Sequence, residues 1–227
     1  MEEKNILLAK TGAAYSNGWK TMKENFISLF LVFLITAIAG APMGMMHDVE
    51  EHMELYIILM QVFGFLFFIF ISNPIKYGAN WVYLKAVRKE KYEVKEMFDG
   101  FINYLNVVLA GLLVTAIVGI GLVFILVPGI VFACRLAFVP FLVMDKKLDP
   151  VKAVEESWRL TRGHGWRIFG MALLGFLIII GGLLALFFGV IIALMWIRAA
   201  FASLYYAVVS EDERQKSNET IDSSVVI

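Results

Sequence analysis

The chain has 227 residues, of which 60% are hydrophobic and 18% charged, with a formal net charge of zero and a mean hydropathy of +0.76. Soluble domains carry nearer half apolar residues and about a quarter charged, so this composition excludes an ordinary water-soluble globule. Basic residues sit at the borders of apolar runs and are balanced overall, which argues against a nucleic-acid-binding surface.

A helix needs about 20 apolar residues to cross a hydrocarbon core of roughly 30 Å. By that ruler residues 1–210 form one transmembrane domain of six predicted spans, at about 26–42, 55–73, 106–127, 129–145, 166–182 and 184–209. Pro42 closes the first, and Asn73 with Pro74 closes the second, because proline cannot continue a helix. The stretch ITAIAGA (35–41) has the small-residue pattern of a signal-peptide cleavage site. The long polar lead before it, and the likeness of that lead to later parts of the chain, predict that it is retained as a span.

Between the first two spans, MMHDVEEHME gathers His47, Asp48, Glu50, Glu51, His52 and Glu54. On a helix His47 and His52 would diverge by about 140°, whereas zinc-binding histidines on one face stand three or four residues apart. A solvated acidic loop is expected there, with no metal and no other cofactor.

The run from Asn106 to Met144 is nearly twice one span, and Val127, Pro128 and Gly129 near its middle predict a tight helical hairpin. The run from Ile168 to Val209 is again double, broken at Gly181 and Gly182. Cys134 lies within a span and offers no disulfide. The tail, 211–227, is polar and is expected to be disordered and cytoplasmic. None of these runs alternates polar with apolar residues, so the fold class is all-α and polytopic rather than a β-barrel.

Lysines and arginines follow one pattern. Lys4, Lys10, Lys20 and Lys23 precede the first span; Lys76, Lys85, Arg88, Lys89, Lys91 and Lys95 separate the second from the third. Lys146, Lys147, Lys152, Arg159, Arg162 and Arg167 separate the fourth from the fifth, and Arg214 and Lys216 lie in the tail. The opposite loops have none. Positively charged segments stay cytoplasmic, so both termini are expected inside.

The chain also resembles itself. SNGWKTMKENFISLF (16–30) and EESWRLTRGHGWRIF (155–169) superpose without gaps, aligning Trp19 with Trp158, Lys23 with Arg162 and Phe30 with Phe169; YEVKEMFDGFINYLNVVL (92–109) is a weaker match. Each precedes a pair of spans, which predicts three hairpins, each preceded by an amphipathic interfacial helix. In the third unit Val151, Val154, Trp158 and Thr161 share one helical face. Trp158, Arg159, Arg162, Trp166 and Arg167 are the expected contacts with the headgroup layer. The alternative is that these helices only pack against the bundle. His164, between glycines, has no nucleophile or carboxylate placed beside it and reads as an interfacial residue at a helix junction.

The order GANWVYLKAVRKEKYEVKEMFDGF, an apolar span, VPGIVFACRLAFVPFLVMD and LDPVKAVEESWRLTRGHGWRIFGMALL resembles the membrane domain attached to some glycerophosphoryl diester phosphodiesterases. It is also similar to a broad group of small prokaryotic six-span membrane proteins. The resemblance covers about residues 78–206 and implies a prokaryotic inner-membrane location. In the fused enzymes hydrolysis belongs to a separate soluble domain, so the resemblance implies no enzymatic activity here.

Arg135 lies about ten residues from Asp145, and Arg198 about eleven from Val209, so at 1.5 Å per residue both come near the midplane. An arginine there costs roughly 2.5–3.5 kcal/mol on insertion scales and should face the bundle interior or a wet cavity. The predicted spans offer no carboxylate to answer it unless Asp145, at the inner end of the fourth, or Glu211 reaches far inward; the other polar groups at hand, such as Gln61, are neutral. A guanidinium without a carboxylate suits an anion, phosphate above all. The expected function is a non-enzymatic protein that binds or moves lipid-like anionic molecules, with Arg135, Arg198 and Gln61 as contacts and membrane lipids as partners. The structural alternative has the arginines capping carbonyls freed by Pro128, Pro140 or the glycines. The functional alternative is a membrane anchor or scaffold for a protein partner or a second copy of itself.

Overall fold

The computed structural model describes residues 9–40, 54–124, 126–184 and 186–225. Among these the chain is helical almost throughout and has no strand: α1 (Thr11–Glu24), α2 (Phe26–Gly40), α3 (Glu54–Phe67), a π turn (Phe68–Ser72), α4 (Asn73–Arg88), a 3-10 segment (Val94–Phe101), α5 (Tyr104–Phe124), α6 (Leu126–Arg135), α7 (Val139–Asp145), α8 (Pro150–Leu160), α9 (Gly165–Leu184) and α10 (Leu186–Val225). Five stretches are long and apolar enough to cross a membrane: Ile58–Arg88, Tyr104–Val123, Pro128–Asp145, Gly165–Leu184 and Gly189–Thr220. The pair α1 and α2, bent by 98°, makes a sixth if counted as one span. This is consistent with a multi-pass membrane protein.

Both predicted breaks are displaced by a few residues: α5 gives way to α6 at residue 125, so that Pro128 and Gly129 lie within α6, and α9 gives way to α10 at residue 185, past Gly181 and Gly182. At the α5–α6 turn Gly121 faces Gly129, where a Cβ on Gly121 would come 2.9 Å from the Gly129 Cα. At the α9–α10 turn a Cβ on Gly182 would come 2.7 Å from the Gly189 carbonyl oxygen. Only residues without side chains let the helices close that tightly.

The first pair departs from the expected layout. Asn73 and Pro74 do not end a helix: the proline occupies the first turn of α4, where a missing N–H goes unneeded. The π turn before it carries the chain across the irregularity, with the Asn73 N–H reaching back to the Phe68 carbonyl. One continuous helical path therefore joins α3 to α4. α2 pairs with α4 rather than α3: the Ser72 hydroxyl donates to the Ala39 carbonyl at 2.6 Å, and the Tyr83 hydroxyl to the Leu29 carbonyl at 3.4 Å. With Gly40 at the level of Ser72, α2 ends about 27 Å along the helix from Glu54. α2 alone, at 15 residues, reaches about 22 Å, short of a bilayer.

α4 is the central helix, packed by α2, α7 and α10 and crossed by the 3-10 segment. That crossing is close: a Cβ on Gly78 would overlap the Met97 carbonyl, and one on Gly100 the Pro74 carbonyl. At its far end Arg88 donates twice to Asp145, 2.6 Å to each carboxylate oxygen, and the Tyr205 hydroxyl donates to the same carboxylate at 2.9 Å. One carboxylate thus ties α4, α7 and α10 together.

A short helical segment precedes each of α2, α5 and α9, and each packs inward. α1 crosses α10 so closely that a Cβ on Gly18 would come 2.6 Å from the Ala200 nitrogen. Tyr15 donates its hydroxyl to the Met171 carbonyl at 2.8 Å and so pins α1 to α9 as well. α8 buries Ala153, Ser157, Leu160 and Thr161. Val151, placed on one face with Thr161, is 60% exposed. Asn25, which breaks α1 from α2, aligns with His164 between α8 and α9, so the internal repeat reproduces a helix break as well as a sequence.

The segment after residue 210, expected to be disordered, continues α10 to Val225. Its charges explain this. Lys216 pairs with Asp212 one turn back at 3.0 Å, and Asp212 is held by Arg159 of α8 at 2.6 and 2.8 Å. Residues 41–53, with most of the segment expected to be an acidic loop, lie outside the described residues.

Removing Asp145 leaves a buried Tyr205 hydroxyl without a partner and a half-buried guanidinium with only Glu90, 4.0 Å away. Asp145→Ala is expected to destabilise the bundle by about 3 kcal/mol, and the Arg88→Ala, Asp145→Ala double variant by less than the sum of the two singles. Thermal unfolding in detergent measures both.

Candidate functional site

Arg135 sits where a span is interrupted. Pro140 supplies no N–H, and the Val139 N–H turns to the Leu136 carbonyl at 3.1 Å instead of reaching back to residue 135. The Arg135 carbonyl, so released, accepts the Ser157 hydroxyl at 2.7 Å and the Thr161 hydroxyl at 3.4 Å. Two hydroxyls of α8 therefore do the capping that the structural alternative assigned to a guanidinium.

The Arg135 side chain is left over. Its guanidinium carbon stands 5.6 Å from the centre of the Trp158 ring, which in turn packs against Phe132 at 5.8 Å. Its Nη1 is buried and has no hydrogen-bond partner. Gly165 puts no side chain against it; a Cβ there would lie 4.0 Å from the guanidinium carbon. Asp145, the carboxylate of the same span, is taken by Arg88 and Tyr205.

Arg198 has different surroundings. Its guanidinium carbon lies 5.7 Å from the centre of the Phe33 ring of α2, and Tyr83 and Lys76 of α4 are near enough to interact with its charge. The structure thus places the two arginines in separate settings, Arg135 against α8 and α9, Arg198 against α2 and α4. Gln61 joins neither, being exposed on α3 within a stretch, 58–63, that is exposed throughout. Lys76 was assigned to a loop by its position after Pro74; the signal that reassigns it is that a proline in a helical first turn starts a helix.

Of the expected headgroup contacts, Trp158 turns inward to the Arg135 guanidinium. The others cluster at the corner between α8 and α9, where Gly163 adopts a left-handed φ of 78°. Trp166 is 86% exposed and Arg162 is exposed. Arg167 donates to the Ala9 carbonyl at 2.9 Å, and the His164 ring lies 3.7 Å from Glu211. Arg159 is engaged in ion pairs rather than free for lipid, meeting Glu156 at 2.7 and 2.8 Å as well as Asp212.

Comparison of the chain with protein-family models, with curated proteins and with solved structures finds no match in any of the three. The likeness to phosphodiesterase-associated membrane domains therefore rests on the quoted residues alone.

The Arg159 guanidinium, with the Lys216 ammonium, holds the Asp212 carboxyl of the α10 extension well below the usual carboxylate range. A carboxylate depressed by folding contributes stability above its ordinary value, about 3.9, and loses it as pH falls through the depressed value. Docking of the α10 extension on α8, followed by the distance between spin labels on the two helices, is expected to hold from pH 7 to 5 and loosen only as pH falls below about 4.

Proposed function

We propose that this chain is a non-enzymatic integral membrane protein that binds or moves lipid-like anionic molecules, lying in a prokaryotic inner membrane with both termini cytoplasmic. The observation that carries the reading is the buried, unpartnered Nη1 of Arg135. A guanidinium in a span costs roughly 2.5–3.5 kcal/mol, and leaving its donor unmade keeps that cost in place. One charge-assisted hydrogen bond contributes about 1.5–3 kcal/mol, so an anion at Arg135 would offset most of it. The aromatic face of Trp158 supplies about 1 kcal/mol or somewhat more, which is too little alone.

The chain's own carbonyls need no arginine to cap them at this point, since Ser157 and Thr161 already serve. The reading therefore makes Arg135 a ligand contact rather than a fastener. Arg198, with no hydrogen bond or ion pair among the described residues, is the second contact in the proposal; Gln61 is not retained. One observation favours the anchor reading as an alternative: α10 runs for 40 residues, about 60 Å, and residues 213–220 of its extension are exposed, a charged rod open to a protein partner.

Native mass spectrometry of the purified protein, wild type against Arg135→Gln, Arg198→Gln and the double variant at matched folding, tests the proposal. A specific anionic lipid is expected on the wild type and reduced in each single variant. A folded double variant that keeps the same lipids overturns it.

A further inference from the structure

The Arg135 guanidinium borders a space kept open at the start of α9. A Cβ on Gly165 would stand 4.0 Å from the guanidinium carbon, and nothing else outside its chain neighbours and its own helix backbone would come that near. Gly165 is the first residue of α9, where N–H groups have no partner within the helix. The Arg167 and Ile168 N–H groups share the His164 carbonyl at 2.9 and 3.0 Å, whereas those of Gly165 and Trp166 make no hydrogen bond among the described residues. A free guanidinium and two free backbone donors therefore meet around one glycine.

Both kinds of donor suit an anion. The start of a helix carries about half a positive charge and aims its N–H groups outward, and the guanidinium adds a full charge with its nearest neighbour, the Trp158 ring, supplying no acceptor. Three residues before Gly165, Arg162 is exposed and forms no ion pair among the described residues. Like-charge repulsion there disfavours a ligand that brings a cation of its own. Apolar side chains lead away from the space: Phe169, Ala172 and Phe176 follow Gly165 by four, seven and eleven residues, the spacing of one helical face, and all three are exposed.

We infer that the phosphate of an anionic phospholipid seats in the space beside Gly165, one non-bridging oxygen on the Arg135 guanidinium and the other on the N–H groups that open α9, with an acyl chain along the face of Phe169 and Phe176. A phosphodiester has the two acceptor oxygens and the charge that this arrangement lacks. The exposed apolar face suits an acyl chain better than a free ion. The inference rests on the reading of Arg135 as an anion contact; it adds the class of ligand and the residue whose missing side chain admits it.

The test is thermal unfolding of the full chain in detergent with added phosphatidylglycerol, phosphatidylcholine or sodium phosphate. Phosphatidylglycerol is expected to raise the wild-type Tm, and the other two to leave it unchanged. Without lipid, Gly165→Ala is expected to melt no lower than wild type, because the added methyl meets only an ordinary contact at 4.0 Å and alanine is the better helix residue. Its apparent affinity for phosphatidylglycerol is expected to be about tenfold weaker, the loss of one charge-assisted bond, because the methyl takes the place of the phosphate. A Gly165→Ala variant that melts well below wild type without lipid makes the glycine a packing residue and overturns the inference. So does one that keeps the full phosphatidylglycerol shift: if Arg135→Gln loses that shift, the broader reading stands without this seat, and if Arg135→Gln keeps it too, both readings fall. An equal shift from sodium phosphate overturns the lipid source, and equal shifts from the two lipids overturn the headgroup class.

Discussion

Asp145 decides how the charges of this protein are distributed. It is the carboxylate closest in sequence to the interrupted span, and it is taken at the end of α7 by Arg88 from α4 and Tyr205 from α10. That arrangement clamps three helices through one side chain. It also means that the group best placed to neutralise an arginine deeper in the same span is engaged elsewhere. Bundle cohesion and the unanswered cations thus have a common origin.

A second constraint shapes the region around Arg135. A proline in the second half of a span frees a carbonyl, and in a medium without water that carbonyl needs a donor. Ser157 and Thr161 provide it from α8, a helix amphipathic enough to lie at the interface yet small-sided enough at Ala153 and Ser157 to pack close. Trp158, between those hydroxyls in sequence, brings its ring to the guanidinium. The two segments most distinctive in the sequence, the Pro-Gly turn leading to Arg135 and the SWRLTR stretch, meet here in space.

Much of this was legible beforehand. Hydropathy and length placed most of the apolar helices, and the glycines lie within a few residues of two of the helix breaks. The internal repeat anticipated a helical segment ahead of each of α2, α5 and α9, and His164 was placed at a helix junction. What failed had physical causes. Pro74 was read as a stop because a π turn leaves no mark in composition, and with it Lys76 was assigned to a loop. Trp158 was placed at the interface because periodicity cannot tell a headgroup from a neighbouring arginine. The tail was called disordered from its polarity, whereas Arg159, distant in sequence, pairs with Asp212 and holds it helical. Gln61 was grouped with the arginines by polarity, but nothing in α3 brings it near them.

The central claim is that a guanidinium inside the bundle is completed by a lipid anion and not by protein. The most direct measurement is the magnetic-resonance distance between lipid phosphorus and labelled guanidinium nitrogen, taken in bilayers of phosphatidylglycerol for wild type and for Arg135→Gln. The account predicts a contact at hydrogen-bonding range that disappears in the variant. Identical contacts in the two proteins, arising only from surface arginines, would contradict it.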